Sequence, residues 1–129
     1  NTILIKNDFK TVFEIFSLFL IFYIKLNIDI KTTNYKVINQ DLIDLFIKDL
    51  DFSLREQGIG DMSIGKYVKK FVKKFYFRLS FIDKNINNFD SIDSNKFIES
   101  LNIVNKKDIS KFRNIILNEY KNLKFEFKS

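Results

Sequence analysis

A chain of 129 residues, 46% apolar and 29% charged, has the composition of a single folded domain and not of a disordered segment. It contains no Cys and no His, which removes disulfides, thiol chemistry, cysteine and histidine metal sites and the usual general base. The formal net charge is +6, and the stretch between Met62 and Ile82 holds six cations and no acid, so the basic character is one local patch.

Pro, Trp and Ala are also absent, while Ile, Lys, Asn and Phe abound, with 16 Phe alone. Residues with AT-rich codons are in excess, as in the proteins of AT-rich genomes, so many Phe and Asn stand where Leu or Ser would serve. The chain opens on Asn1 and is expected to be a fragment or a processed form, read as a single domain over 1–129.

The periodicity predicts an all-α protein, a single compact bundle of about five helices. The first helix is expected over about Asp8 to Ile28. Its uncharged run, Ile15 to Ile24, is bounded by Glu14 and Lys25. Ten residues are too few to span a bilayer, which takes about 20. The run reads as a central core helix, apolar all round because it is buried all round, with a membrane-embedded or interfacial segment as the alternative.

Residues Asp29 to Gln40 are polar and read as a loop. A second helix is expected over Asp41 to Gln57, where Leu42, Phe46, Leu50 and Leu54 recur every four residues. Gly58 is a natural stop. Ser63 offers an N-cap for a third helix reaching Ile82. A fourth is expected over Asp93 to Val104 and a fifth over Lys106 to Leu123. The alternating tail Lys124 to Ser129 reads as a short strand-like extension.

On a wheel advancing 100° per residue, Ile64, Val68, Phe71, Val72, Phe75, Leu79 and Ile82 share one side of the third helix. Lys66, Lys69, Lys70, Lys73 and Lys74 share the other, with Phe77 and Phe81 among them. Lysines at this spacing repel one another. The face is either simply solvated or made for a polyanion: a nucleic-acid backbone, anionic lipid headgroups or an acidic protein surface. Arg78 falls on the core margin and is expected to pair with an acid, Glu56 or Asp61.

Before this helix, Arg55 sits in the last turn of the second, where a cation suits the helix dipole, with Asp51 four residues earlier as a partner. Glu56 is on the wrong end for the dipole and calls for a cation from elsewhere. Gly58, Gly60 and Gly65 are the only glycines. The Gly58-x-Gly60 pair follows a helix and not a strand, with no third glycine or Walker lysine pattern, so it reads as a structural corner and not a phosphate loop. Gly65 has no local reason.

The run Ser53-Leu-Arg-Glu-Gln-Gly-Ile-Gly-Asp-Met-Ser-Ile-Gly-Lys66, then Val68-Lys-Lys and Phe75-Tyr-Phe-Arg78, resembles the signature of the ubiquinol–cytochrome c chaperone family. The apolar helix around Phe13 to Leu26, the loop and the second helix fit the family's order of elements. Residues Asp93 to Ser129 match in hydrophobic shape only. The chain departs from the family in having no His in the apolar helix and in carrying Phe77 where the pattern has Gly. Family members usually have a further helical segment upstream, so an N-terminal segment is expected to be missing here.

The resemblance implies a non-enzymatic assembly factor for the cytochrome bc1 complex. Such a factor would bind newly made cytochrome b near the ribosome, act with a small partner protein and use no small-molecule substrate or cofactor. It would sit on the matrix face of the mitochondrial inner membrane, or in the bacterial cytoplasm at the periphery of the inner membrane. By that reading Lys66, Lys69, Lys70, Lys73, Lys74, Phe77 and Phe81 form the docking surface for ribosomal RNA, anionic membrane or a protein partner. Arg55, Glu56, Gly58, Gly60, Asp61 and Arg78 form the structural motif, in which the corner from Arg55 to Asp61 would fix the angle between the second and third helices. The alternative is a small basic helical module that binds RNA, the ribosome or a membrane surface. No convergent set of carboxylates or lysines points to an enzyme, and with no His a haem ligand would have to be Met62, a Tyr or a Lys.

Overall fold

A computed structural model describes residues 8–89 and 92–128. Among them are five α-helices and no strand: α1 (Phe9–Ile30), α2 (Tyr35–Glu56), α3 (Asp61–Asn85), α4 (Ile92–Leu101) and α5 (Ile109–Lys128), with 3-10 turns at Ile86–Asn88 and Lys106–Asp108. The expected all-α bundle is what the chain forms.

The most apolar helix, α1, is the hub. It packs against α2, α3 and α5, while α2 packs on α3 and α4 on α5. Ile21, Phe22, Ile24 and Leu26 are buried with Phe46, Phe75, Ile82, Phe112 and Tyr120 in one core. Each such large side chain contributes roughly 1.5–3 kcal/mol by leaving water. Aromatic edges and faces join the layers: Phe13 meets Phe71 at 4.7 Å and Phe22 meets Tyr120 at 5.3 Å between ring centres. At 22 residues α1 is long and apolar enough to cross a membrane by composition. In the bundle, however, Glu14 and Lys25 turn inward to partners on α3.

Several boundaries differ from the expectations. Asp8 caps α1, its carboxylate accepting from the Thr11 amide at 2.8 Å. Lys31 closes α1 in the left-handed region at φ 54°, and Asn34, at φ 58°, turns the chain straight into α2. The second helix therefore begins at Tyr35, not Asp41. Half of the polar stretch that reads as loop, Tyr35 to Gln40, is the start of this helix, and Asp29 and Ile30 still belong to α1. Asn39 in that stretch is buried: its Oδ1 accepts from Asn27 Nδ2 at 3.0 Å, and its Nδ2 donates to the Ile24 carbonyl at 3.3 Å. A paired amide in the interior is satisfied, so polarity alone does not mark a loop.

The third helix is capped by Gly60, in extended conformation, and not by Ser63, which lies inside it. It runs on to Asn85. The fourth helix stops at Leu101, before Val104, because Asn102 takes a left-handed conformation at φ 55°. The tail is not strand-like: α5 continues through Lys128, its Phe127 ring packing on Tyr23 at 5.0 Å.

Candidate partner-docking surface

The corner between α2 and α3 is built mainly by backbone. The Gly58 amide donates to the Arg55 carbonyl at 3.0 Å and the Ile59 amide to the Leu54 carbonyl at 3.2 Å, the two reversed bonds of a Schellman cap. Gly58 sits at φ 97°, a conformation that L side chains resist. Gly60 then starts α3, with Asp61 in its first turn where the helix dipole favours an anion.

Arg55 ties the two helix ends together. Its Nε donates to Asp51 at 2.7 Å and its Nη1 donates to Asp61. The hydrogen bond to Asp51 first, then that to Asp61, raises its pKa above the ordinary arginine value. All three side chains are well exposed. Glu56, whose position calls for a cation, is exposed and makes no ion pair among the described residues.

Arg78 does not pair with Glu56 or Asp61. It reaches into the core and meets Glu14 of α1, Nη2 to Oε2 at 2.9 Å and Nε to Oε1 at 3.3 Å. The Glu14 side chain is 1% exposed and that of Arg78 10%. The guanidinium also lies 5.7 Å from the Phe77 ring centre and 5.8 Å from that of Phe97 on α4. One residue thus joins α1, α3 and α4. The corner at Asp61 lies more than four helical turns from Arg78 along α3, beyond the reach of any side chain.

A second charged link lies further along α1. Lys25 Nζ bonds Asp83 of α3 at 3.0 Å and Asp29 at 3.1 Å. Burial disfavours its charge, but the bonds to Asp83 and Asp29 outweigh this and raise its pKa above 10.5. Glu14 and Lys25 bound the apolar run in the sequence. Eleven residues apart, they stand on one helix face within about 20°, and that spacing is the signal that could reveal them as an inward-facing pair. Phe97, by contrast, carries no signal beyond belonging to a core.

Five of the seven residues of the expected basic face lie in solvent. Lys66, Lys69, Lys70 and Lys73 are exposed on α3 and have no acid partner among the described residues. Phe77 is also out in solvent, 60% exposed, so a ring in place of the family's Gly displaces nothing. Two members sit differently. Lys74 is half-buried, its ammonium 5.2 Å from the Phe71 ring centre. Desolvation, then the nearby charge of Lys10, pushes its pKa down. Phe81 lies against α4, stacked on Phe97 at 4.2 Å with nearly parallel rings, and belongs to the packing more than to the face. Gly65 stands at the edge of the lysines, and a Cβ there would meet nothing within 4 Å.

Among the described residues no group of His, Cys, Asp or Glu could hold a metal ion. The helical bundle thus combines a buried ion pair between α1 and α3 with an exposed cationic face on α3. In comparison with family models, the chain matches the ubiquinol–cytochrome c chaperone model over residues 3–113. It belongs to that family, and its general role is that of a chaperone in cytochrome bc1 assembly. Searches of curated proteins and of solved structures returned no match.

Proposed function

We propose that this chain is a non-enzymatic assembly factor that binds newly made cytochrome b and shields it while the bc1 complex is built, acting with a small partner protein. The observation that carries this reading is the family match over residues 3–113, which takes in α1 to α4 and the start of α5. The unpaired lysines on α3 support a second part of it. They would dock the chaperone on a polyanion at the site of synthesis, ribosomal RNA or the anionic inner-membrane surface. The place of action would be the matrix face of the mitochondrial inner membrane, or the cytoplasmic periphery of a bacterial inner membrane.

The exposed lysines taken alone favour a second reading, a basic helical module for RNA or a membrane surface with no client. The test is to tag the chain in its native source and ask whether cytochrome b co-purifies during synthesis, and whether deletion lowers assembled bc1 complex. Cytochrome b in the eluate together with loss of the complex supports the chaperone. Salt-sensitive RNA binding with intact bc1 complex supports the module instead.

A further inference from the structure

The helix α1 buries charge on one side and leaves apolar side chains in solvent on the other. Its two buried charged side chains, Glu14 and Lys25, face α3 inside the bundle. On the opposite side, about half a turn of the wheel away, Val12, Phe16, Phe19 and Tyr23 form a ridge that is 57, 54, 50 and 40% exposed. Their spacing of i, i+4, i+7 and i+11 is a helical stripe, roughly 16 Å long. An apolar groove runs on each side. The one toward α2 lies by Phe16 and Phe46, the one toward α5 by Phe19 and Ile115.

We infer that this ridge and its two grooves are a docking site for one amphipathic helix of a protein partner, with basic residues flanking the partner's apolar seam. The charge around the site selects that occupant. Asp49 lines the α2 groove and Glu119 the α5 groove, and among the described residues they are the only charged ones in either lining. A helix apolar on all sides would strip water from both carboxylates and offer them nothing. Lys or Arg at the flanks of an amphipathic helix would meet both.

Two other occupants fit worse. A second copy, related by a two-fold axis, would set these carboxylates against the same carboxylates. An anionic bilayer would repel them. It would also be met by the lysine face instead, because α3 lies on the far side of α1 from the ridge and turns its lysines outward. The two surfaces point apart, so a polyanion and a partner helix can be held at once. The inference concerns the chemistry of this surface and does not depend on which client the chaperone serves.

The probe is a model helix about 18 residues long, enough to hold helical structure when bound, with a Leu/Ala seam flanked by Lys, fluorescently labelled and titrated with the purified chain. Binding to the wild type is expected. Phe19→Ser should weaken it about tenfold, and Asp49→Lys with Glu119→Lys by a similar factor. Circular dichroism should be unchanged, since all three residues are exposed. Should Phe19→Ser disturb the fold, Ile115→Ser across the groove is expected to give the same loss. Absence of binding overturns the site, as does equal binding by wild type and variants. A dimer in sedimentation that Phe19→Ser dissolves would assign the ridge to a second copy and overturn the inference. Phe19-dependent binding to phosphatidylglycerol vesicles would assign it to lipid and overturn the inference equally.

Discussion

Arg55 and Arg78 close the two ends of the stretch that carries the family signature, and both are bonded to carboxylates, but in different media. Arg55 holds Asp51 and Asp61 in water, where charges are screened and side-chain freedom is lost on pairing. Arg78 holds Glu14 inside the bundle, where neither charge can find solvent if the other is removed. The same chemistry is therefore an ornament of the corner at one end and a condition of the fold at the other. Between them lie four exposed lysines, Lys66, Lys69, Lys70 and Lys73, that pair with no acid among the described residues.

The sharpest way to break that comparison is to remove Arg78. Arg78→Ala leaves the Glu14 carboxylate buried without a partner and is expected to cost about 3–5 kcal/mol. That is a large share of the roughly 5–15 kcal/mol that holds a domain together. Urea denaturation measures it. Replacing both partners, Glu14→Leu with Arg78→Met, should restore most of the loss, because an apolar pair of similar size needs no hydrogen bonds. If the double variant is as unstable as the single, packing against Phe97 and not the ion pair is what Arg78 supplies.

The middle of the stretch is expected to respond in binding and not in stability. Lys66, Lys69, Lys70 and Lys73 changed together to Glu should leave the melting curve close to wild type, since all four are exposed. Affinity for a short single-stranded RNA or for anionic vesicles should fall at least about tenfold, and the salt dependence should flatten. Lys74 is left out because it is half-buried, with its ammonium over the Phe71 ring. Undiminished association in the quadruple variant would return the face to plain solvation.

Two glycines of the stretch should move stability in opposite directions. Gly58 at φ 97° cannot accept a side chain without strain, so Gly58→Ala is expected to cost about 1–2 kcal/mol. Gly65 is helical with open space around its Cα, so Gly65→Ala should stabilise by about 1 kcal/mol. Thermal melts of both variants check the signs. Should Gly65→Ala stabilise the chain while weakening RNA or vesicle binding, the glycine is kept for close approach of a partner.

What is legible in the sequence follows the range of the interactions involved. The helix periods, the turn at Gly58, the Asp51–Arg55 pair and the exposure of Lys66, Lys69, Lys70 and Lys73 are all local, set by residues within a few turns of each other, and the structure has them where the sequence puts them. The start of α2 escapes a local reading because Asn39 is satisfied by Asn27 and a carbonyl of α1, which no local pattern announces. The wheel places Arg78 on the core margin, but its partner lies 64 positions away, far from the acids nearest in the chain. Phe81 falls on the lysine side of the wheel, yet α4 covers it there. The exposed ridge of α1 is hidden for a related reason: the run from Ile15 to Ile24 is apolar all round, and the one local sign of its open side is the spacing of Glu14 and Lys25, whose partners lie on α3.

The smallest effect is expected at Arg55, and it tests what makes the corner. Its ion pairs visibly join α2 to α3, which suggests that Arg55→Ala would loosen the angle between them. The reversed backbone bonds from Gly58 and Ile59 are already in place without it, and Leu54 is buried beneath. Screened pairs between exposed side chains contribute little. Arg55→Ala should therefore melt close to wild type in physiological salt and well above Gly58→Ala. Repeating both melts in low salt separates the causes: any Arg55 contribution should grow as screening weakens, while the Gly58 penalty should not move. An Arg55→Ala variant that melts as low as Gly58→Ala at both ionic strengths would mean that the corner is held by charge, and that the two arginines are alike after all.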